Sequence, residues 1–262
     1  MIRFEERLAT LDTSLFAAIP CQLYEDDRRS LLAIQYALRD RTPRYRYLEI
    51  GSYLGGSLQP HLMDPRCDRI YSIDKRPPRP PDDRGMRVEY PENTTDAMLA
   101  NLARIDAGAR AKVVTFETEA ARVERTAIDP RPGLCFIDGE HTEAAVLADF
   151  AFCRAVASPE AVICFHDCNI IFSALVKILD QLTADGTGFE AYALPSYVFV
   201  IELGGVALHK HPALARLLVE NWKTVLPSLS SMEHYREVYN TVPVRVLRAV
   251  SRRLKRLRRG GS

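Results

Sequence analysis

Three side chains in this sequence, Asp138, His141 and Asp167, have the types and spacing needed for metal binding or acid–base catalysis. Asp138 and His141 follow the apolar run at 134–137, and Asp167 comes shortly after a second apolar run at 161–165. Short apolar runs that end at turn residues are typical of buried parallel strands. Two carboxylates on strand ends suit a hard divalent cation, and a nearby imidazole suits proton abstraction. Helix capping is the alternative role for strand-end acids, but two such segments in succession favour a functional site.

The elements that must position these side chains alternate between strands and helices from residue 47 onward. The apolar patterns predict strands at 47–50, 69–74, 112–116, 134–137, 161–165, 189–194 and 197–203, and helices at 56–62, 96–107, 119–125, 142–157 and 170–183. Repeated strand–helix units form parallel sheets, whereas the last two strands, which no helix separates, require one antiparallel member. We therefore predict an α/β fold with a Rossmann-like, seven-stranded, mostly parallel sheet that has one antiparallel strand and helices on both faces.

A glycine-rich turn between the first predicted strand and the first helix indicates a ligand site. Gly51, Gly55 and Gly56 allow backbone N–H groups to approach a ligand at the start of that helix. Asp74 ends the next strand, 23 residues after Gly51, where an acid can accept the ribose hydroxyls of a nucleoside. Tyr53 departs from the Gly-x-Gly-x-x-Gly dinucleotide fingerprint. The pattern predicts a nucleoside cofactor, with a plain glycine turn and a surface aspartate as the alternative.

The composition is that of an ordinary globular protein. Of its 262 residues, 47% are hydrophobic and 26% are charged, which suits one α/β domain with modest additions. The six cysteines form no Cys-x-x-Cys pair, which argues against a zinc ribbon or a disulfide framework and favours a reducing compartment. No apolar stretch reaches the length of a membrane span, and the N-terminus lacks the pattern of a secretory signal. We expect a cytoplasmic protein that binds no nucleic acid.

The C-terminal end is strongly basic, although the net charge of the whole chain is only +1. Residues 245–259 contain eight basic side chains and no acid. Apolar residues recur along one side of the helix predicted there, so the segment at 244–262 has the character of a basic amphipathic tail. Such a tail suits peripheral contact with the anionic inner face of a membrane, or with an acidic partner. A solvated, disordered end is the alternative.

Four segments of the chain resemble motifs of the class I S-adenosylmethionine-dependent methyltransferases. They are Leu-Glu-Ile-Gly-Ser-Tyr-Leu-Gly-Gly-Ser at 48–57, Ile-Asp at 73–74, Phe-Ile-Asp-Gly-Glu-His-Thr at 136–142 and Phe-His-Asp at 165–167. The similarity covers residues 45–205 and is greatest to a metal-dependent O-methyltransferase branch that includes enzymes acting on macrolide sugars and other sugar hydroxyls. The resemblance implies a methyltransferase domain at 41–210. The patterns outside it predict a helical extension at 1–40, which packs on the sheet or forms a lid, and a helical addition at 211–243.

The resemblance also implies a role for each motif residue. Asp74 would hold the ribose, Asp138 and Asp167 would bind Mg²⁺, and His141 would be the general base. His166 stands where some relatives have an acid, so it is the candidate for a third metal ligand, which the motif itself leaves open. The expected cofactor contacts are Glu49, Gly51 and Ser52 near the methionine part, Thr118 and Glu119 near the adenine, and also Tyr53, Ser57, Asp74 and Asp138.

The function predicted from these residues is Mg²⁺-dependent O-methylation, with S-adenosylmethionine as the methyl donor. A hydroxyl becomes a good nucleophile when it is deprotonated, and a metal together with an imidazole can achieve this. The expected acceptor is a hydroxyl of a sugar, glycoside or polysaccharide precursor, either a small molecule or an oligosaccharide. Assembly as a homo-oligomer is left open. Two alternatives remain at this point: an NAD(P)-dependent oxidoreductase on a similar sheet, and a non-catalytic binding module held at membranes by the tail.

Overall fold

The computed structural model describes residues 3–82 and 88–220 and the isolated positions Thr241, Pro243 and Leu247. The chain divides into two compact units, Met1–Asn221 and Trp222–Ser262. The first unit holds the whole sheet and includes the predicted N-terminal segment at 1–40. Most of the predicted helical addition at 211–243, and the predicted basic tail apart from Leu247, lie outside the described residues.

A seven-stranded sheet forms the centre of the first unit. Its strands are β1 (Tyr45–Ile50), β2 (Cys67–Ile73), β3 (Val113–Phe116), β4 (Leu134–Ile137), β5 (Val162–Phe165), β6 (Phe189–Ala193) and β7 (Phe199–Leu203), in the spatial order β3-β2-β1-β4-β5-β7-β6. The pairs among β1 to β5 are parallel, whereas β7 runs antiparallel to both β5 and β6. The predicted mostly parallel, Rossmann-like sheet with one antiparallel strand is therefore confirmed.

Helices surround this sheet. Within the described residues they are α1 (Phe4–Ala9), α2 (Glu25–Arg41), α3 (Gln59–Met63), α4 (Thr95–Ala103), α5 (Ala109–Lys112), α6 (Glu143–Val156), α7 (Phe172–Ala184) and α8 (Pro212–Glu220). Short 3₁₀ turns occupy Thr13–Phe16, Ala120–Arg122, Arg125–Ala127 and Leu208–Lys210. None of the described helices is both long enough and apolar enough to cross a membrane.

Two of the predicted helices differ from the structure. The helix predicted at 119–125 is wrong, because two 3₁₀ turns with an extended Val123 between them occupy this segment. The chain reaches Pro130 soon afterwards, so the segment is too short to offset the cost of helix nucleation. The helix predicted at 96–107 ends earlier, at Ala103, since Asp106 Oδ1 accepts the Gly108 N–H at 2.8 Å and begins a turn.

Buried side chains cover both faces of the sheet. On one face, α2 packs against β1, and Ile34 and Tyr47 belong to the same buried cluster. On the other face, α6 and α7 bury Phe150 and Ile178 in a cluster with Leu48, the neighbour of Tyr47 along β1. Successive residues of a strand point to opposite faces, which is why β1 contributes to both clusters. The helices of the N-terminal segment therefore pack on one face of the sheet, and a role of the segment as a lid stays a prediction.

Candidate active site

A cavity of about 550 Å³ opens at the carboxyl ends of the parallel strands. Its wall is formed by the turns that follow β1, β2, β3, β4 and β5 and by residues 20–24, which precede α2. The chain enters the sheet at β1, extends to β2 and β3 on one side, and returns to β4 and β5 on the other. Open α/β sheets bind ligands at this reversal of strand order, and the cavity has the size of a small-molecule site.

Gly51 connects β1 to the turn that lines the cavity, and its φ of +92° favours glycine. A Cβ atom at this position would lie 2.0 Å from the carbonyl oxygen of Asp138. The Asp138 N–H in turn donates to the carbonyl of Ile50 at 2.8 Å. The sequence predicts glycine here for close approach of a ligand, but the tightest approach is that of the loop after β4. Glycine at position 51 therefore keeps Asp138 in register with β1.

Asp74 directly follows β2 and is held by two backbone N–H groups. Tyr53 N–H donates to Oδ2 at 2.9 Å, and Arg76 N–H donates to Oδ1 at 2.8 Å. The buried guanidinium of Arg76 reinforces this turn, because its Nη1 donates to the Tyr53 carbonyl at 2.6 Å. A carboxylate oxygen can accept more than one hydrogen bond, and Asp74 lines the cavity. The geometry is suited to the two hydroxyls of a ribose.

Glu49 is wholly buried and is not among the described residues that line the cavity. The Tyr47 hydroxyl donates to its Oε2 at 2.5 Å, and Ser57 Oγ donates to its Oε1 at 2.6 Å. Burial raises the pKa of Glu49 to about 8, although both hydrogen bonds favour the charged form. Ser57 does line the cavity. Glu49 therefore orients the Ser57 side chain, and direct contact of Glu49 with a cofactor stays a prediction.

The remaining residues predicted to contact a cofactor line the cavity, namely Ser52, Tyr53, Thr118 and Glu119. The Ser52 side chain is held in place by a residue of β2, because Ser72 Oγ donates to its Oγ at 2.9 Å. The Tyr53 ring packs edge-on against Tyr90, with 5.1 Å between the ring centroids. The turns after β1, β2 and β3 thus bring these predicted residues to one cavity.

Asp138, His141 and Asp167 meet on the cavity wall, as expected for residues that follow the adjacent strands β4 and β5. Their candidate ligand atoms all lie within 4.8 Å of one another, and His141 Nε2 is 3.1 Å from Asp167 Oδ2. Burial alone would raise the pKa of Asp167, but His141 and the neighbouring His166 hold it well below its usual value. Asp167 has a φ of +52°, an unfavourable conformation for a non-glycine residue that is concentrated at functional sites.

His166 lies behind this group, with its ring between two carboxylates. Its Nδ1 is 3.2 Å from Asp138 Oδ1, and its Nε2 is 3.1 Å from Asp27 Oδ2. Burial favours the neutral ring, but the acids around it outweigh this effect and raise the pKa of His166 well above its usual value. A protonated imidazole has no lone pair for a metal. Within the described part of the chain, the candidate cation group consists of Asp138, His141 and Asp167. The raised pKa of His166 does not favour a metal-ligand role, which stays a prediction.

Asp27 is a site residue that the sequence analysis misses. Its wholly buried carboxylate contacts His166 and accepts the backbone N–H groups of Tyr24 at 2.9 Å and of Tyr197 at 2.8 Å. One carboxylate thus links α2, the strand end that carries His166 and the turn before β7. In the sequence, Asp27 follows two other acids in the first turn of a helix, where acids are common, so no local signal distinguishes it.

Asp149 is a second residue that the sequence analysis misses. It lies on α6, lines the cavity and is only 9% exposed. Its neighbours along the helix include the buried Val146 and Phe150. A carboxylate on the apolar side of a helix is costly to bury, and this mismatch is the signal that could reveal it in the sequence.

Residues 48–168 match a family model described as a methyltransferase domain, whereas no curated protein matches the sequence at a significant level. CalS11, described as a calicheamicin methyltransferase, aligns with a TM-score of 0.51 at 14% identity, covering 77% of this chain and 91% of that chain. A candidate O-methyltransferase from Klebsiella pneumoniae aligns with a TM-score of 0.50 at 15% identity, covering 78% and 90%. The cofactor-bound Rv0187 from MTB also aligns with a TM-score of 0.50, at 18% identity, covering 75% and 88%.

These structural similarities, at such low identity, show a shared fold. The family match carries the functional information, because it extends from β1 to the residues just after β5 and so contains all five turns that line the cavity. It does not support the alternative of an NAD(P)-dependent oxidoreductase. On this match, residues 48–168 are a methyltransferase domain, the chain is an enzyme of the methyltransferase class, and its fold is that of the class I S-adenosylmethionine-dependent methyltransferases.

Proposed function

We propose that this methyltransferase acts on a hydroxyl oxygen of a sugar or related polyol, with Mg²⁺ bound next to the acceptor. The observation that carries the proposal is the group formed by Asp138, His141 and Asp167 on the wall of the cofactor cavity. It combines carboxylates that can hold a cation with an imidazole that can take a proton. Oxygen acceptors need this combination, since a neutral alcohol is a poor nucleophile.

The cavity fits the methyl donor at three points. Asp74 offers both carboxylate oxygens to the ribose, and its orientation is already fixed by backbone N–H groups. Ser52 and Ser57 place hydroxyls on the side of β1, where the methionine part is expected. The methyl group must then reach Asp138 and His141 at the end of β4, the strand next to β1. Binding along this path would bring the donor and the acceptor together, which removes much of the entropic cost of the reaction.

The acids also fit a Mg²⁺ ion. The contacts described for Asp138 and Asp167 involve Oδ1 of the first and Oδ2 of the second, so the other oxygen of each can turn towards a cation. Mg²⁺ in proteins is commonly held by one or two carboxylates, with waters and substrate oxygens as its other ligands. Two protein carboxylates are therefore sufficient, and His166 is not needed as a third ligand.

His141 is the residue proposed to accept the proton of the hydroxyl. Its Nε2 lies 3.1 Å from Asp167 Oδ2 and its Nδ1 lies 3.8 Å from Asp82 Oδ2, so carboxylates on both sides orient the ring. When bound, the cofactor supplies a methyl group activated on a sulfonium, and the cation lowers the pKa of the hydroxyl. The chain itself contributes alignment and the base.

Two features support a sugar or polyol as the acceptor. Neighbouring hydroxyls can chelate one cation, so an acceptor with a vicinal pair suits the acids at the ends of β4 and β5. Tyr24, which lines the cavity and is 63% exposed, packs edge-on against Tyr197 at a centroid distance of 5.7 Å. Exposed aromatic rings provide rigid apolar surface beside a polar hydroxyl group, which suits the apolar face of a sugar ring.

A transfer assay with labelled S-adenosylmethionine tests the proposed function. Glycosides with a vicinal diol should accept the label in the presence of Mg²⁺, and matched deoxy glycosides that lack one of the two hydroxyls should accept far less. Chelation of divalent cations should stop transfer to the diol, and added Mg²⁺ should restore it. Full activity after chelation would remove the metal from the proposal. Transfer only to amines or thiols would overturn O-methylation.

Replacement of Asp74 by alanine should weaken binding of S-adenosylhomocysteine by about 1–3 kcal/mol, because hydrogen bonds to a charged acceptor are lost. Isothermal titration calorimetry with purified protein measures the difference. Asp96→Ala, which removes an exposed acid in the first turn of α4, is the matched control and should bind like the wild type. Unchanged affinity in the Asp74 variant would refute its role at the ribose.

Replacement of Asp167 by alanine should raise the Mg²⁺ concentration needed for half-maximal activity by at least roughly tenfold. Loss of a supporting group around a metal already costs about 10- to 100-fold in affinity, and loss of a ligand should cost no less. Titration of activity with Mg²⁺ at saturating cofactor measures the shift. Asp180→Ala, an exposed acid on α7, is the control. An unaltered Mg²⁺ requirement would show that Asp167 is not a ligand.

A further inference from the structure

Asp149 is a buried acid for which the described part of the chain provides no hydrogen-bond donor. It is nine-tenths buried and lines the cavity, and the influences on it are burial and the charges of Lys75, Glu140 and Glu119. Lys75 is engaged elsewhere, since its ammonium pairs with Glu140. Buried polar groups in native proteins nearly always have a partner, and an unpaired one is costly. The carboxyl of Asp149 is not among the described side-chain groups with fully buried, unpartnered atoms, so it is open to the cavity and available to a ligand.

The position of Asp149 indicates which part of the cofactor lies next to its carboxyl group. Asp74, on β2, marks the ribose, and the methyl group must reach the acids after β4 and β5. The base must therefore extend in the opposite direction, towards β3, the strand on the other side of β2. The 3₁₀ turn Ala120–Arg122, which follows β3, packs against α6, the helix that carries Asp149.

Small apolar side chains surround this part of the cavity. Ala120 and Ala121 line it from the turn after β3, and Ala145 and Ala148 line it from α6, directly before Asp149. Gly139 lies beside Asp149, because a Cβ atom there would be 3.5 Å from Asp149 Oδ2, an ordinary contact distance. Side chains without bulk leave room for a flat ring, and the carboxyl of Asp149 lies where the polar edge of that ring can meet it.

We propose that Asp149, as a neutral carboxylic acid, reads the adenine edge of S-adenosylmethionine through a paired hydrogen bond. The carbonyl oxygen accepts from the exocyclic N6 amino group, and the acid O–H donates to N7, the ring nitrogen on the same edge. The amide of asparagine reads adenine in the same way, and a neutral carboxyl offers the same donor and acceptor pair. This inference deepens the proposed function and rests on binding of the cofactor in this cavity.

The surroundings of Asp149 support the neutral form. Burial raises its pKa to about 7, which Lys75 opposes and which Glu140 and Glu119 reinforce. Cys153, one turn further along α6, is a neutral thiol because burial raises its pKa well above the usual value. An acid that must be protonated to pair with adenine binds less cofactor as the pH rises through that value. The wild-type affinity should therefore be constant below about pH 7 and fall above it.

Binding of S-adenosylhomocysteine and of S-inosylhomocysteine, in which a carbonyl replaces the amino group, tests the proposal by calorimetry. Asp149→Ala should weaken binding of the adenosyl compound by roughly 5- to 100-fold, the usual effect of losing a paired contact to a base. The variant should also no longer bind the adenosyl compound more tightly than the inosyl compound. Asp149→Asn should keep the affinity and the preference, and should remove the decline above pH 7. Glu143→Gln is the matched control, since Glu143 is on the same helix and pairs with Lys177.

Each result distinguishes this inference from the proposed function. Failure of the wild type to bind S-adenosylhomocysteine would refute cofactor binding itself. Normal binding by the wild type and by Asp149→Ala would refute only the role of Asp149. Weak binding by Asp149→Asn would show that the ionised carboxylate is needed, which also overturns the proposal. Thermal unfolding without ligand provides an independent readout: Asp149→Asn should be at least as stable as the wild type, because an unpaired buried acid has been removed, and a clear loss of stability would assign Asp149 a structural role instead.

Discussion

His141→Ala should lower turnover by roughly 10²–10⁴-fold, the usual worth of a positioned general base. The affinity for S-adenosylhomocysteine should change little, because Asp74 remains in place. The Mg²⁺ affinity should fall by less than the turnover, because both strand-end acids remain although Asp167 loses its contact with His141. This separation follows from the structure, where His141 follows β4 on the loop before α6 and contacts Asp167 through Nε2 alone at 3.1 Å. Steady-state assays at saturating cofactor and Mg²⁺, together with calorimetry, measure the two effects.

The pH dependence of the residual activity identifies the role of the imidazole. Without the base, the variant depends on hydroxide from solution, so its rate should keep rising with pH. His211→Ala provides the control, because His211 pairs with Asp40 and is not among the described residues of the cavity wall. A His141→Ala enzyme with wild-type turnover would place the base elsewhere. A variant that loses Mg²⁺ affinity in parallel with turnover would make His141 a ligand instead of the base.

Asp27→Ala should reduce the free energy of unfolding by about 3–5 kcal/mol, because it removes one partner of a buried ion pair, although Asp138 still faces the other ring nitrogen of His166. Two backbone N–H groups, those of Tyr24 and Tyr197, lose their acceptor at the same time. Asp27→Asn keeps the size of the side chain and an oxygen acceptor, so its loss should be smaller. Urea denaturation of both variants and of the wild type measures these differences. Equal stability of Asp27→Ala and the wild type would contradict the buried pair.

The effect of Asp27 should also depend on pH in a defined direction. The pKa of His166 is raised in the folded state, so protonation of this ring stabilises the fold. That contribution is fully present below about pH 6.5, the ordinary pKa of an imidazole in an unfolded chain, and decreases as the pH rises towards the raised value. The stability difference between the wild type and Asp27→Ala should therefore be larger at pH 6 than at pH 9. The opposite trend would mean that His166 is neutral when folded.

The strands and the strand-end acids could be predicted from the sequence because both depend on local patterns. An apolar run followed by a turn residue predicts a buried parallel strand and also where it ends. Asp74, Asp138 and Asp167 were located in this way, and all three line the cavity. Their proximity was predictable as well, since the carboxyl ends of parallel strands lie at the same edge of a sheet. The short apolar periodicity at 119–125 was misleading because it does not report whether a helix is long enough to form.

The partners of the acids were decided only by the tertiary structure. Asp27 and His166 are separated by 139 positions in the chain, and they meet because α2 packs on the sheet. Periodicity indicates that a residue is buried but not what lies opposite to it, so the sequence places His166 at the end of β5 without showing that Asp27 and Asp138 flank its ring. The same holds for Asp149, whose cavity forms only when the turn after β3 meets α6. A local pattern determines secondary structure, whereas charge states depend on contacts between distant segments.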